Sequence, residues 1–91
     1  MSAKWITLEA KSGLESDLKT CLDELRVASS EESGCIEYRV FQEGATFYVL
    51  ERYESSDALA VHKSSDHFTK AKAAFSTLVE SKGSQELEEL N

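Results

Sequence analysis

CIEYRVFQEGATFYVLERYE, residues 35–54, is the stretch that decides the fold of this 91-residue chain. Two runs rich in Val, Ile, Tyr and Phe flank a short turn that contains Gly44, a pattern typical of a β-hairpin. The second run carries apolar side chains on both faces of the predicted strand. They are Phe47, Val49 and Tyr53 on one face and Tyr48 and Leu50 on the other. We therefore expect this strand to be covered on both sides.

The segment before the hairpin predicts one strand and one helix. Residues 3–10 alternate with the period of two that suits a strand, and from Leu14 to Ala28 apolar residues recur every three or four positions, as on one face of a helix. SSEESG, residues 29–34, ends this helix, and we expect Gly34 to adopt the left-handed geometry of a chain reversal.

The segment after the hairpin predicts a broken helix. Ser55 or Ser56 can cap its first part, and the Ser64–Asp66 group offers caps for the second. We expect the second part to keep Val79 on its apolar stripe and to end at Gly83. The tail, residues 84–91, is short enough to be a strand or a helix.

If the tail is a strand, the order is strand, helix, strand, strand, broken helix, strand. This order predicts an α+β fold of the ferredoxin-like split βαβ type, as a single domain over residues 1–91. Because one face of such a sheet lacks helices, its apolar side chains need a cover. The same face of a second copy provides one, and we therefore expect a homodimer.

Charge and composition exclude several classes of partner. Seventeen acidic residues against ten basic ones give a formal charge of −7, which disfavours binding to nucleic acid or to anionic membranes. No apolar run reaches the ~18 residues that span a bilayer and the first residues do not resemble a signal peptide, so we expect a cytoplasmic protein. Cys21 and Cys35 lack metal or disulfide spacing, and we expect small buried hydrophobic residues there.

Three groups of residues make the chain resemble the antibiotic biosynthesis monooxygenase family. They are Gly34, Cys35 and Tyr38, then Glu51, Tyr53 and Ser55, then Ala58, His62, His67 and Phe68. The resemblance implies a dimeric α+β barrel whose last strand reaches towards the partner, which favours a strand for residues 84–91. The His…His-Phe junction is most similar to the quinol monooxygenases and to the small isomerase that acts on a phosphorylated autoinducer breakdown product.

The resemblance further implies a cofactor-free oxygenase for a quinol or a related aromatic or enolisable small molecule, with molecular oxygen as a second substrate. No flavin, haem or metal is expected. The haem-degrading branch of the family uses an Asn on the first strand with a Trp and a His on the second helical segment. This chain has its single Asn at position 91 and its single Trp at position 5, so we set haem degradation aside.

His62 and His67 are the candidate catalytic residues, because an imidazole can take a proton from a phenol or an enol at neutral pH. Candidate substrate-binding residues are Tyr38, Glu51, Tyr53 and Phe68. In an unbroken helix the two histidines could not clamp one metal, but the break at Ser64–Asp66 can turn both rings towards one cleft. Simple packing of His62 under the hairpin remains an alternative, as do an enolising isomerase and a non-catalytic ligand-binding or stress-responsive dimer.

Overall fold

The predicted hairpin is present, and Gly44 makes its turn with a φ of +60°. The computed structural model describes residues 1–90. Along the chain the elements are β1 (Ser2–Ala10), α1 (Glu15–Ser30), β2 (Cys35–Glu43), β3 (Thr46–Tyr53), α2 (Ser56–Lys63), α3 (Asp66–Leu78) and β4 (Val79–Leu87). The strands form one antiparallel sheet in the order β2-β3-β1-β4. This topology confirms the α+β, ferredoxin-like split βαβ prediction.

The side chains of strand β3 alternate between buried and half-buried along its length, and this pattern distinguishes the two faces of the sheet. The buried set points to the helices and defines the covered face. It consists of Phe47, Val49, Glu51 and Tyr53. The opposite or open face carries an aromatic group centred on Trp5, whose ring stacks on Tyr48 at a centroid distance of 5.6 Å and lies 6.5 Å from Phe41.

The core lies between the covered face and α1. Leu18, Leu22 and Leu25 of α1 are each at most 4% exposed, as expected from their spacing, and they pack with Leu8 and Phe47 of the sheet. Full burial of a Leu side chain stabilises a fold by about 1.5–3 kcal/mol. This stripe is therefore the main attachment of α1 to the sheet.

The predicted end of the last helix is wrong. Helix α3 ends at Leu78, and Val79 is already extended (φ −104°, ψ 127°) and pairs with Ala10. The N–H of Lys11 donates to the carbonyl of Leu78, and Gly83 lies inside β4 opposite Thr7. Pairing with β1 supplies the backbone hydrogen bonds that another helical turn would have made, and β-branched Val79 suits a strand.

The tail is a strand, as the resemblance led us to expect, but it starts earlier and pairs within its own chain. β4 runs antiparallel to β1 from Val79 to Leu87. The expectation that the tail reaches towards a partner stays a prediction. Residues 88–90 have no regular structure, and Asn91, the end of the predicted strand, lies outside the described residues.

The two cysteines are free and half-buried, and both pack against the core instead of being fully buried as expected. No helix among residues 1–90 is both long and apolar enough to cross a membrane.

Gly34 plays a different role from the predicted one. It does not have a positive φ; instead, a Cβ built on it would lie 2.4 Å from the Cβ of Ala58 in α2. Its carbonyl also accepts the N–H of Glu54 at 2.9 Å, which ties the loop before β2 to the end of β3. A glycine is therefore needed for close approach of α2 and not for the turn itself.

We expect Gly34→Ala to lower the free energy of unfolding by about 1–3 kcal/mol, the usual cost of inserting a methyl group into a packed contact. Gly83→Ala is the matched control, because nothing lies within 4 Å of the added Cβ. Urea unfolding measures both. The double variant Gly34→Ala/Ala58→Gly should recover part of the loss, and an equal cost for both single variants would contradict this account.

Candidate functional site

Two serine caps mark the starts of the helices that carry the two histidines. The Ser55 side chain accepts the N–H of Ala58 at 3.1 Å at the start of α2, and the Ser65 side chain accepts the N–H of Phe68 at 3.2 Å at the start of α3. The predicted caps are thus confirmed, with Ser55 and Ser65 as the residues used. Consequently His62 lies in the last turn of α2, and His67 lies in the first turn of α3.

Glu32 joins the two imidazoles. Its Oε2 lies 2.9 Å from Nδ1 of His62 and also hydrogen-bonds Nε2 of His67. The two histidine rings are 5.9 Å apart between centroids. An ionised carboxylate can only accept hydrogen bonds, so both ring nitrogens that face it carry hydrogen. A neutral His62 is therefore the Nδ1–H tautomer, and its Nε2 keeps a free lone pair.

His62 lines a cavity of about 390 Å³ between the covered face of the sheet and the helices. The side chain of His62 is 1% exposed, and its Nε2 has no hydrogen-bond partner among residues 1–90. The walls are largely apolar and include Ile6, Leu25 and Phe75. A buried, unpartnered nitrogen on a residue that lines an apolar cavity is a candidate for a base that acts on a bound molecule.

Glu51 is the acid nearest to this nitrogen. Its Oε2 lies 3.8 Å from Nε2 of His62, and its side chain is almost fully buried. Burial raises the pKa of the Glu51 carboxyl, while the neighbouring His62 acts in the opposite direction. The cavity thus has a proton acceptor next to a carboxyl that holds its proton more tightly than an exposed one.

The two tyrosines differ in their relation to the cavity. Tyr38 lines it, whereas Tyr53 is buried beneath His62 at a ring distance of 5.1 Å. Burial raises the pKa of both phenols, and the charge of Glu51 raises it further. Both side chains therefore remain protonated and neutral at neutral pH.

The structure brings together four of the six residues singled out from the sequence. Those that line the cavity are Tyr38, Glu51, His62 and Phe68. The ring of Phe68 meets that of His62 edge-on at 5.0 Å. His67 and Tyr53 do not line the cavity; His67 instead borders a separate groove between α1 and α3.

Glu32 and a set of lysines at the cavity were not among the site residues predicted from the sequence. Glu32 lies in the loop that ends α1, where an acidic pair usually indicates a solvated turn, yet its side chain is only 12% exposed. Its position two residues before Gly34 is the signal that could have found it, because Gly34 is where α2 approaches. The cavity lysines are Lys4, Lys63, Lys72 and Lys82.

Glu32, His62 and His67 could also hold a metal ion, because their ligand atoms all lie within 4.8 Å of one another. Glu32 would supply the third ligand beside the two histidines, and its role could not be identified from the sequence. One carboxylate oxygen is hydrogen-bonded to both imidazoles, so a metal would have to replace both hydrogen bonds. The absence of a metal remains a prediction from the sequence.

Solved structures from several bacteria share this fold over nearly their whole length. PA3566 from Pseudomonas aeruginosa is 26% identical, with a TM-score of 0.91 over 99% of this chain and 95% of that one. Rv0793 from Mycobacterium tuberculosis is 25% identical, with a TM-score of 0.93 over 99% and 95%. A candidate antibiotic biosynthesis monooxygenase from Deinococcus radiodurans is 23% identical, with a TM-score of 0.90 over 100% and 94%.

No curated protein sequence matches the chain significantly. The sequence pattern of one family, described as antibiotic biosynthesis monooxygenase, matches residues 1–74, which is most of the chain. The three motif groups noted in the sequence all fall within this range. The chain therefore belongs to the antibiotic biosynthesis monooxygenase family.

Proposed function

We propose that the protein is a cofactor-independent monooxygenase for a quinol or a related enolisable aromatic molecule, with His62 as general base. The observation that carries the proposal is the buried Nε2 of His62, which has no hydrogen-bond partner among residues 1–90, on a side chain that lines the cavity and is held by Glu32 through Nδ1. A positioned base of this kind accelerates a proton transfer by about 10²–10⁴-fold. Family membership supports the choice of oxygenation.

The proposed reaction balances without a bound cofactor. For 1,4-dihydroxynaphthalene, Nε2 of His62 takes a phenolic proton, and the resulting electron-rich ring gives electrons to dioxygen and forms a C–O bond. The substrate hydroperoxide then takes a proton and loses water as the ring C–H proton leaves. Quinol and dioxygen become hydroxynaphthoquinone and water, so the substrate is oxidised and dioxygen is reduced.

Glu51 is the candidate acid that gives a proton back to the substrate. Its carboxyl lies next to Nε2 of His62 and has a raised pKa, so its protonated form can donate to oxygen as negative charge develops there. Tyr38 and Phe68 line the same cavity and suit contact with an aromatic ring. His67 acts through Glu32, which it holds against His62, and is a positioning residue.

An enolising isomerase is a second candidate, favoured by the 3.8 Å separation of a base and a protonatable acid. Such an enzyme removes a proton from one carbon of an enolisable ketone and returns a proton to a neighbouring atom, with no change in oxidation state. Turnover in the absence of dioxygen distinguishes it from a monooxygenase. A non-catalytic binding protein would return every ligand unchanged.

We also propose that the protein is a homodimer that packs through its open face. This face carries the aromatic group of Trp5, Phe41 and Tyr48, and Phe41 is 49% exposed in the single chain. Leu50 of β3 lies on the same face, between the two neighbouring strands. A specific protein pair buries about 1,600 Å² in total, which an open sheet face of this kind can supply.

His62→Gln should lower kcat for oxygen uptake with 1,4-dihydroxynaphthalene by about 100-fold or more, because the base is lost. His67→Gln keeps an N–H that can reach Glu32, so it should lower kcat by less than about tenfold. An oxygen electrode measures both rates above the protein-free rate. Chelator-treated enzyme should keep full activity if no metal takes part, and equal activity of the two variants would refute the assignment of His62.

Glu51→Gln should make the protein more stable at pH 8 but less active. A carboxyl whose folded-state pKa is raised stabilises the fold below its unfolded-state pKa and loses this contribution as the pH rises through the folded value. Gln does not titrate, so the variant should gain several degrees in Tm, about 4–8 °C per kcal/mol, at pH 8 and progressively less as the pH falls towards about 4.5. Thermal unfolding over pH 4.5–8 tests the sign. A stability gain that grows on acidification would contradict the proposed burial effect.

Leu50→Glu should convert the dimer into a monomer near 10.1 kDa, because a charge would lie in the middle of the paired open faces. Val27→Glu is the matched control, since Val27 is an exposed apolar residue of α1. Sedimentation at micromolar concentration measures both. A wild-type monomer, or an unchanged dimer in Leu50→Glu, would rule out this interface.

A further inference from the structure

Four lysines line the cavity, and the proposed oxygenation does not use their positive charge. Four different elements each contribute one of them: Lys4 from β1, Lys63 from α2, Lys72 from α3 and Lys82 from β4. The chain has ten basic residues and a net charge of −7, so four of the ten line this one cavity. Against them stands a single acidic lining residue, Glu51.

These four ammonium groups lack close anionic partners. Among residues 1–90, none of them lies within 4.0 Å of a carboxylate, although Lys70, outside the cavity, pairs with Glu24 at 3.7 Å. Lys11 and Lys19 also have no such pair, so the four lysines are distinguished by their position at the cavity. Among residues 1–90, Glu51 is the one carboxylate that lines the cavity with them and offsets part of their charge.

Two of the lysines are close enough to repel each other. Lys4 is half-buried, and burial together with the neighbouring charge of Lys63 lowers the pKa of Lys4, whereas Glu51 and Glu86 act in the opposite direction. Two like charges in one partly apolar cavity destabilise each other unless an anion lies near both. Glu51 lies near both lysines, whose charges lower its pKa, and its ionised form offsets part of the repulsion. A bound anionic group would offset more of it.

We propose that the ligand of this cavity carries an anionic substituent, a carboxylate or a phosphate, which binds to Lys4 and Lys63 while its apolar part fills the cavity next to His62. The inference rests on the proposed function for the identity of the cavity as the ligand site. It restricts the substrate to enolisable or aromatic molecules that bear a negative charge. The remaining lysines, Lys72 and Lys82, add to the local positive potential that attracts such a molecule.

The alternative is that the lysines only cover apolar surface with their methylene chains and keep their charged ends in water. That arrangement gives no preference for an anionic ligand over a neutral one of the same shape. Binding measurements on matched ligands therefore separate the two explanations, and they do not depend on turnover.

Isothermal titration calorimetry with 2-naphthol, 6-hydroxy-2-naphthoate and 2-naphthyl phosphate tests the proposal on the wild-type protein. In 20 mM NaCl we expect at least one of the anions to bind about tenfold or more tightly than 2-naphthol, with an advantage that shrinks at 300 mM NaCl because salt screens the charges. Phosphate bound tenfold more tightly than carboxylate would identify a phosphate ester, and the reverse order would identify a carboxylate.

Lys4→Gln/Lys63→Gln should reduce the ratio of anion affinity to naphthol affinity to near one. Lys19→Gln, which removes one positive charge from the exposed side of α1, should leave the ratio unchanged. Equal affinity of the wild type for all three ligands, binding of none of them, or an equal loss in Lys19→Gln would overturn the proposal. His62→Gln should keep the ratio while turnover falls, so a failure of the catalytic proposal is distinguishable from a failure of this one.

Discussion

The carboxylate of Glu32 is the contact on which the arrangement of the site depends. It accepts hydrogen bonds from His62 and His67, which lie on two different helices, and it comes from the loop that connects α1 to β2. Without it, the buried imidazole of His62 would have no defined tautomer or orientation. A single side chain thus connects three parts of the chain and fixes the ring of His62, a residue that lines the cavity.

That contact requires α2 to lie very close to the loop before β2, and Gly34 makes this possible. Glu32 lies two residues before Gly34, so one short segment contains both the carboxylate that holds the histidines and the glycine that admits the helix. Ser65 then caps the start of α3, and its hydroxyl also donates to the carbonyl of His62 at the junction with α2. Backbone features therefore set the geometry of the site before any catalytic side chain is considered.

Two buried polar side chains that line the cavity do not favour a stable fold. Glu51 and His62 are buried polar side chains in a domain of only 91 residues, whose core is small to begin with. A hydrophobic residue at either position would pack at lower cost. Their presence is understandable if they act on a ligand, and a second copy on the open face would supply the stability that one chain lacks.

The sequence by itself determined the hairpin, the apolar stripe of α1 and the two short segments that contain the serine caps, because these depend on local periodicity and capping chemistry. The ferredoxin-like order also needed the family resemblance, which favoured a strand for the tail. The sequence also placed His62 among the candidate site residues. The tertiary structure decided what lies far apart along the chain: the start of β4 at Val79, the approach of Gly34 to Ala58, and the meeting of Glu32 with two histidines thirty or more residues away. Pairing partners and burial set these features, and neither can be derived from residues next to one another in sequence. The same reason explains why His67, five residues from His62, faces Glu32 and not the cavity.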